Sequence, residues 1–249
     1  MSGKYIKRKK NSVVWIAVAV IAAVVLAIVV LQFSGKGLQT QPGTTASADD
    51  TVKLPVQPAF SEISLNNGLT VLDIGSYTGV YMEDGSDEVV SGILMMMVRN
   101  DGEETVQYAR ITMDVNGKTA EFTVSTLEPG ATVVLLEKSK MRFDKSVKYE
   151  NMQITCENLA LFNTPLELHE DKLRIQILDG AINVTNISGS DISKKISIYY
   201  KNVTDGVYYG GITYRITLEN GLKADEIRQM MASHFSDTGS RIMLVTITE

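Results

Sequence analysis

Residues 79–100 read GVYMEDGSDEVVSGILMMMVRN, and residues 181–202 read AINVTNISGSDISKKISIYYKN, at an offset of 102 residues without a gap. Apolar residues fall at the same places in both segments, for example Val80 with Ile182 and Leu94 with Ile196. Alternating apolar residues are typical of a β-strand with one buried face, and their parity decides which face is buried. The shared parity predicts an internal repeat, with β-rich domains over 59–160 and 161–249.

Turn residues separate further alternating segments. Asn116-Gly117 predicts a two-residue hairpin. The predicted strands are 93–98, 106–115, 119–124, 132–137 and 147–154 in the first repeat, and 173–178, 181–186, 195–203, 211–218 and 242–247 in the second. Ala224–Ala232 has helical spacing of apolar residues, but the repeat places it opposite the strand near 131–139, which favours a strand or a single turn. The pattern predicts an all-β ectodomain of two tandem immunoglobulin-like β-sandwiches.

The order of strand ends and turns resembles a known group of modules. Val98-Arg99-Asn100 ends a strand, and Leu127-Glu128-Pro129-Gly130 follows the next alternating strand. Tyr200-Lys201-Asn202 and Leu222-Lys223-Ala224 take these places in the second repeat. This pattern resembles the FxLYD-type and related immunoglobulin-like modules of membrane-anchored envelope proteins of Gram-positive bacteria. The aromatic tetrad itself is replaced by Ile111-Thr112-Met113-Asp114, so the resemblance implies a fold and an envelope setting and transfers no catalytic residue.

The N-terminal part predicts a membrane anchor. Residues 13–31 read VVWIAVAVIAAVVLAIVVL without a charge, and the apolar segment 13–33 is long enough for a transmembrane helix. The basic tail 1–12 holds five cations and no acid, which predicts a cytoplasmic N-terminus. The apolar run is longer than that of a cleaved signal peptide, so a signal anchor is favoured. A flexible linker is predicted over 34–58, and the remainder is expected outside the cell.

Composition excludes several classes of function. The 249 residues carry a net charge of -5, and outside the basic tail acids outnumber bases, which argues against nucleic-acid binding. One Cys and two His exclude a disulfide framework and a Cys/His zinc site. The sequence has neither a P-loop nor a dinucleotide-binding fingerprint. We therefore expect no cofactor and no metal.

Two patterns leave alternatives open. Thr155-Cys156 at a strand end is similar to the nucleophile of sortase-like transpeptidases, although His169 and His234 both follow the cysteine rather than precede it. The turn 83–88 concentrates four carboxylates, which could bind calcium in an adhesin, although a charged hairpin tip explains it as well. We expect Cys156 to be an ordinary strand residue.

Tyrosines are concentrated in the second repeat, where five of the ten lie between 199 and 214. Adjacent tyrosines on a strand point to opposite faces. By parity with Ile198, Tyr200 is expected in the core. Exposed tyrosines form good contact surfaces, so a partner-binding surface is predicted from Tyr199, Tyr208 and Tyr209.

The leading hypothesis is a single-pass membrane protein with a cytoplasmic N-terminus and a non-enzymatic extracytoplasmic binding or envelope-assembly module. Its expected partners are the lipid bilayer, through 13–33, and another envelope protein or a glycan. Extracellular sandwiches of eukaryotes usually carry disulfides, so the single cysteine favours a bacterial envelope. The alternatives are a sortase-like cysteine enzyme that uses Cys156 and a calcium-dependent adhesin.

Overall fold

Strands make up nearly all of the regular structure in the computed structural model, which describes residues 60–65 and 67–248. The predicted tail 1–12, transmembrane segment 13–33 and linker 34–58 lie outside these residues. No helix in the described part is long and apolar enough to cross a membrane. The strands are β1 (Ile63–Ser64), β2 (Leu69–Val80), β3 (Val89–Asn100), β4 (Val106–Val115), β5 (Lys118–Leu127), β6 (Thr132–Leu136), β7 (Ile154–Leu161), β8 (Leu173–Leu178), β9 (Ala181–Asn186), β10 (Lys195–Thr204), β11 (Val207–Leu218), β12 (Ile227–Met231) and β13 (Ser240–Thr248).

The strands form three sheets. One sheet has seven strands in the order β1-β2-β3-β6-β11-β10-β13, and two sheets have three strands each, β5-β4-β7 and β12-β9-β8. Strands β1–β7 are called the first half here, and strands β8–β13 the second half. The seven-stranded sheet therefore contains strands of both halves, and the described residues all belong to one compact unit.

Apart from β1, which extends β2 in the first half, both halves have the same strand order. In the first half, β6 extends the hairpin β2–β3 and β7 extends the hairpin β4–β5. In the second half, β12 extends the hairpin β8–β9 and β13 extends the hairpin β10–β11. The topology thus equates β3 with β9, β4 with β10, β5 with β11 and β6 with β12.

The halves are joined by one parallel strand pair. Thr132–Val134 of β6 pairs with Val207–Tyr209 of β11, whereas all other pairs among strands β1–β13 are antiparallel. Hydrogen bonds between these strands continue the sheet from one half into the other, so the two halves share backbone structure rather than only a side-chain contact.

Three apolar cores stabilise the part of the fold that the structure describes. The first lies between β5-β4-β7 and the seven-stranded sheet, and it contains the fully buried Phe122 and Met96. The second lies between β12-β9-β8 and the same sheet, and it contains Ile198 and Tyr200. The third is smaller and gathers Tyr81 with apolar residues of β3 and β6 beside the junction.

The two small sheets cover opposite faces of the large one. Val133 belongs to the first core and Val134 to the third, so these neighbours mark the two faces of β6. On β10, Lys201 bonds the carbonyl of Ser125 in the sheet β5-β4-β7, whereas its neighbour Tyr200 belongs to the second core. These neighbours therefore face opposite small sheets. The second core is thus on the face opposite the first.

Most predicted strands are confirmed. Asn116 and Gly117 have φ of 54° and 79°, as a two-residue hairpin loop between β4 and β5 requires. The ambiguous segment forms strand Ile227–Met231 rather than a helix. The predicted strand at 147–154 is wrong, because Tyr149–Asn151 is a 3-10 turn and the strand begins only at Ile154. Tyr149 turns inward there and stacks on Phe143, which the alternation of the sequence does not reveal.

The repeat has a different register from the predicted offset of 102. Asn100 is buried, and its Nδ2 donates to the carbonyls of Glu104 and Leu127, each at 2.9 Å. Asn186 is buried in the same way, and its Nδ2 donates to the carbonyls of Ser190 at 2.7 Å and Leu222 at 3.1 Å. The structure therefore equates Asn100 with Asn186, not with Asn202. The predicted pairing of Leu127 with Leu222 agrees with these bonds.

Candidate functional site at the junction of the two halves

The loop between β2 and β3, residues 81–88, enters the junction between the halves. Glu83 turns inward, and its Oε1 accepts the backbone N–H of Leu136 at 2.9 Å and that of Gly211 at 2.8 Å. One carboxylate therefore binds the end of β6 and the middle of β11, which belong to different halves. Burial raises the pKa of Glu83, while these backbone N–H groups and Lys201 oppose the shift.

Lys201 of β10 is fully buried at the same junction. Its Nζ donates to three carbonyl oxygens, those of Ser125 at 3.0 Å, Gly211 at 3.2 Å and Ile212 at 2.9 Å. Three acceptors match the three donors of an ammonium group. Burial lowers the pKa of Lys201 to about 7, and the charge of Glu83 opposes this shift. The pair thus places opposite charges where the two halves meet.

A row of aromatic rings lies next to the loop. The rings of Tyr200 and Tyr214 stack at 5.3 Å between centroids, and Tyr214 stacks on His234 at 4.8 Å. His234 Nδ1 is 3.1 Å from Asp87, and the hydroxyl of Tyr214 donates to the carbonyl of Met82 at 3.3 Å. The second half therefore contacts both ends of the loop through aromatic side chains.

The carboxylates of the turn 83–88 diverge instead of converging on a metal. Glu83 points into the junction, Asp87 faces His234, and Asp84 and Glu88 both pair with Lys140. The described residues contain no group of three or more His, Cys, Asp or Glu side chains that could hold a metal ion. The arrangement therefore gives no structural support to the calcium alternative.

Cys156 lies on β7 opposite Ile111 of β4 and is partly exposed. Burial raises the pKa of its thiol, which favours the unreactive protonated form. His234 contacts Asp87 and Tyr214, and His169 lies 3.5 Å from Glu167. These contacts direct both histidines to other side chains, so the structure does not bring together the base and nucleophile that a sortase-like reaction needs.

The three tyrosines of the predicted binding surface do not form one surface. Tyr208 is buried in the first core, where its hydroxyl donates to Glu128 at 2.8 Å and accepts from Arg241 at 2.9 Å. Tyr209 is half-buried against the third core. Tyr199 is also half-buried, and its odd position on β10 places it on the face opposite Tyr209. The prediction of an exposed surface is thus corrected at Tyr208, while Tyr200 is in the core as predicted.

Sequence reasoning missed the roles of Glu83 and Lys201. Glu83 belongs to an acidic turn that is polar throughout, and nothing in the turn distinguishes the one carboxylate that is buried. Lys201 follows the core residue Tyr200 on β10, so its side chain points to the opposite face of the strand. That face is expected in solvent unless a second sheet covers it. The pair Gly210-Gly211 is the one local signal, because glycine permits the close approach of another backbone.

No protein-family model matches the sequence, and no curated protein matches it. The function is therefore argued from the geometry of the described residues. At the junction, buried charges and aromatic contacts hold the two halves together.

Proposed function

We propose that the chain is a single-pass, membrane-anchored extracytoplasmic protein whose ectodomain is a non-enzymatic binding or envelope-assembly module. The observation that carries the proposal is the junction, where the buried charges of Glu83 and Lys201 bind backbone groups of both halves. The buried charged side chains of Glu83 and Lys201 thus serve to hold the two halves together. Such a unit presents a fixed surface at the end of a linker.

Two tandem immunoglobulin-like sandwiches, with domains at 59–160 and 161–249, are the finer form of this proposal. The common strand order of the two halves supports it, as do the equivalent contacts of Asn100 and Asn186. In each half one hairpin plus a third strand packs against another hairpin plus a third strand, which is the arrangement of a small antiparallel sandwich.

The membrane placement rests on the uncharged segment 13–31 and on the basic tail before it. It is tested with single cysteines in a Cys156→Ser background. A membrane-impermeant maleimide should label Ser47→Cys on intact cells and should label Ser2→Cys only after lysis. Labelling of both sites, or of neither, on intact cells would contradict the proposed orientation.

The binding function is tested by crosslinking on intact cells that express the tagged full chain. We expect capture of an envelope protein or a glycan, and Cys156→Ala should leave the capture unchanged. A loss of capture with Cys156→Ala, together with a covalent adduct on the wild-type thiol, would favour the cysteine-enzyme alternative instead.

A further inference from the structure

Strand β12 forms an open edge of the sheet β12-β9-β8. Its pairing with β9 is regular over five residues, from Ile227 with Thr185 to Met231 with Ala181, without a bulge. The N–H of Asn186 bonds the carbonyl of Glu226, and the N–H of Ala232 bonds that of Gly180, so the even positions of this segment face β9. The backbone groups of Ile227, Gln229 and Met231 therefore face outward, and none bonds another described residue.

Two large apolar side chains lie on this edge. Ile227 is 65% exposed and Met231 is 77% exposed. Natural sheets protect their edges with charges, proline or bulges, because an open edge pairs readily with another strand. The five residues of β12 hold one charge, Arg228, which is paired with Glu226. An edge with these properties is typical of a strand that pairs with a partner.

The first half shows how this edge is used. Strand β6 is the counterpart of β12, and its open side is closed by β11. Val134 and Leu136 of β6 are buried in the third core under residues of the loop and of β11. The corresponding positions on β12, Gln229 and Met231, are exposed. The same edge is thus covered in one half and uncovered in the other.

A second copy of the chain cannot close β12 in the way that β11 closes β6. The strand that closes β6 is β11, and its counterpart in the first half is β5. In a second copy, β11 is already paired with the β6 of that copy. The outer backbone of β5 is also occupied, because the carbonyl of Glu121 accepts the N–H of Lys138 and that of Ser125 accepts Lys201. Among the edge strands that a second copy offers, which include β7 and β8, its own β12 is the one that can pair with β12 across a two-fold axis.

An antiparallel pair of two β12 strands is self-complementary. With the two-fold axis at Gln229, each outward residue exchanges both backbone hydrogen bonds with its opposite residue. Ile227 then lies opposite Met231 of the second copy, and Gln229 lies opposite Gln229, whose amide both donates and accepts. No like charges are directly opposite, since Arg228 faces Met230.

We propose that a second copy of this chain binds at β12, so that the two three-stranded sheets become one six-stranded sheet across a two-fold axis. The dimer names a partner for the proposed assembly function, and it rests on that function through the proposed membrane anchor. The strand pair is a small interface, and anchoring in a common bilayer raises the effective concentration that such an interface needs.

Disulfide trapping tests the register in the full chain, expressed in membranes with Cys156→Ser. Opposite hydrogen-bonded residues have Cα atoms about 5.5 Å apart, which is within the range for a disulfide. Gln229→Cys should therefore form a crosslinked dimer under mild oxidation. Gln176→Cys, on the outer face of β8 in the same sheet, is the matched control and should stay monomeric. Ile227→Cys alone should not crosslink, but it should crosslink with coexpressed Met231→Cys.

A second experiment removes the association. The double variant Ile227→Lys, Met231→Lys should lose the dimer mass that the full wild-type chain shows in nanodiscs or mild detergent. Val89→Lys replaces a 74% exposed valine elsewhere on the surface and should keep that mass. Both variants should retain the β-rich circular dichroism spectrum, because the replaced side chains are exposed.

Three outcomes overturn the proposal. They are a monomeric wild-type chain without a Gln229→Cys crosslink, equal crosslinking of Gln229→Cys and Gln176→Cys, and a crosslink of Gln229→Cys to a different protein. The maleimide experiment at Ser47→Cys is independent of β12. A correct orientation without a dimer would therefore overturn this inference and leave the proposed membrane-anchored module standing.

Discussion

Lys201 is a buried cation held by three carbonyl oxygens, with a buried carboxylate in the same junction. A buried charge is stable only where hydrogen bonds and an opposite charge replace water. Lys201→Met removes all three donors at once and leaves the carbonyls of Ser125, Gly211 and Ile212 without them. We expect a loss of about 3 kcal/mol in the free energy of unfolding, measured by pulse proteolysis of the full chain in urea. Lys195→Met, at a partly exposed site of the same strand, is the control and should change it by less than about 0.5 kcal/mol.

The lowered pKa of Lys201 makes stability depend on pH. Below pH 7 the lysine is charged in both the folded and the unfolded chain, so it adds no pH dependence. Between about 7 and 10.5 the unfolded chain keeps a proton that the folded chain has lost, so stability rises with pH. The slope approaches about 1.4 kcal/mol per pH unit. Wild-type chain should thus become more stable from pH 7 to 9, and Lys201→Met should lack this gain. An equal slope in both would contradict the assignment.

Asn186 and Asn100 perform the same task in the two halves, since each side-chain amide donates to loop carbonyls while its Oδ1 accepts a nearby N–H. Aspartate has nearly the same shape but cannot donate when ionised. Asn186→Asp and Asn100→Asp should each lower the free energy of unfolding by about 2–3 kcal/mol, measured in the same proteolysis assay. A large loss at one site with none at the other would show that the two asparagines are not equivalent.

At the scale of strands, β5 and β11 approach unusually closely at Gly211. A Cβ atom on this residue would lie 1.7 Å from the carbonyl oxygen of Thr123, and backbone cannot move aside as a side chain can. Gly211→Ala should therefore displace β11 from β5 and destabilise the chain by about 3 kcal/mol or more. Gly206→Ala is the control. Gly206 has positive φ, unlike Gly211, and its Cβ would have open space, so the loss there should be about 1 kcal/mol. Equal losses would contradict the steric explanation.

The sequence predicts the strands well where alternation and turn chemistry agree. Val106–Val115, Leu173–Leu178 and Ala181–Asn186 match their predicted bounds. The prediction fails at 147–154, where Tyr149 is buried by a turn rather than by strand alternation. The strand β2 has no predicted counterpart, because Asp73, Gly75 and Gly79 interrupt its apolar pattern and two register shifts accompany them.

The register of the repeat and the junction could not be read from alternation. Any two strands of one parity align, so the offset of 102 matched β3 with β10, whereas the hydrogen bonds of Asn100 and Asn186 match β3 with β9. The junction depends on which outer face is covered by a second sheet. That choice follows from the pairing of β6 with β11, which no local pattern of Val207–Tyr209 specifies.

At the scale of the whole molecule, the seven-stranded sheet and the Glu83 loop connect the halves through hydrogen bonds. A typical linker between modules leaves them free to unfold separately, whereas shared backbone pairing couples them. Tyr208 adds to this coupling, because it belongs to β11 of the second half but packs in the first core. The two halves should therefore behave as one thermodynamic unit despite their repeated strand order.

This coupling predicts a single unfolding transition for both halves. In hydrogen-exchange mass spectrometry of the full chain in urea, peptides from β4 and β10 should lose protection at the same urea concentration. The single tryptophan, Trp15, lies in the predicted transmembrane segment, so exchange is a better probe here than its fluorescence. Glu83→Ala removes the acceptor shared by β6 and β11 and should separate the two midpoints, since each half keeps its own core. Glu88→Ala, which removes only an exposed pairing with Lys140, should leave them together. Separate midpoints in the wild-type chain would mean that the halves fold independently and that the junction does not fix their arrangement.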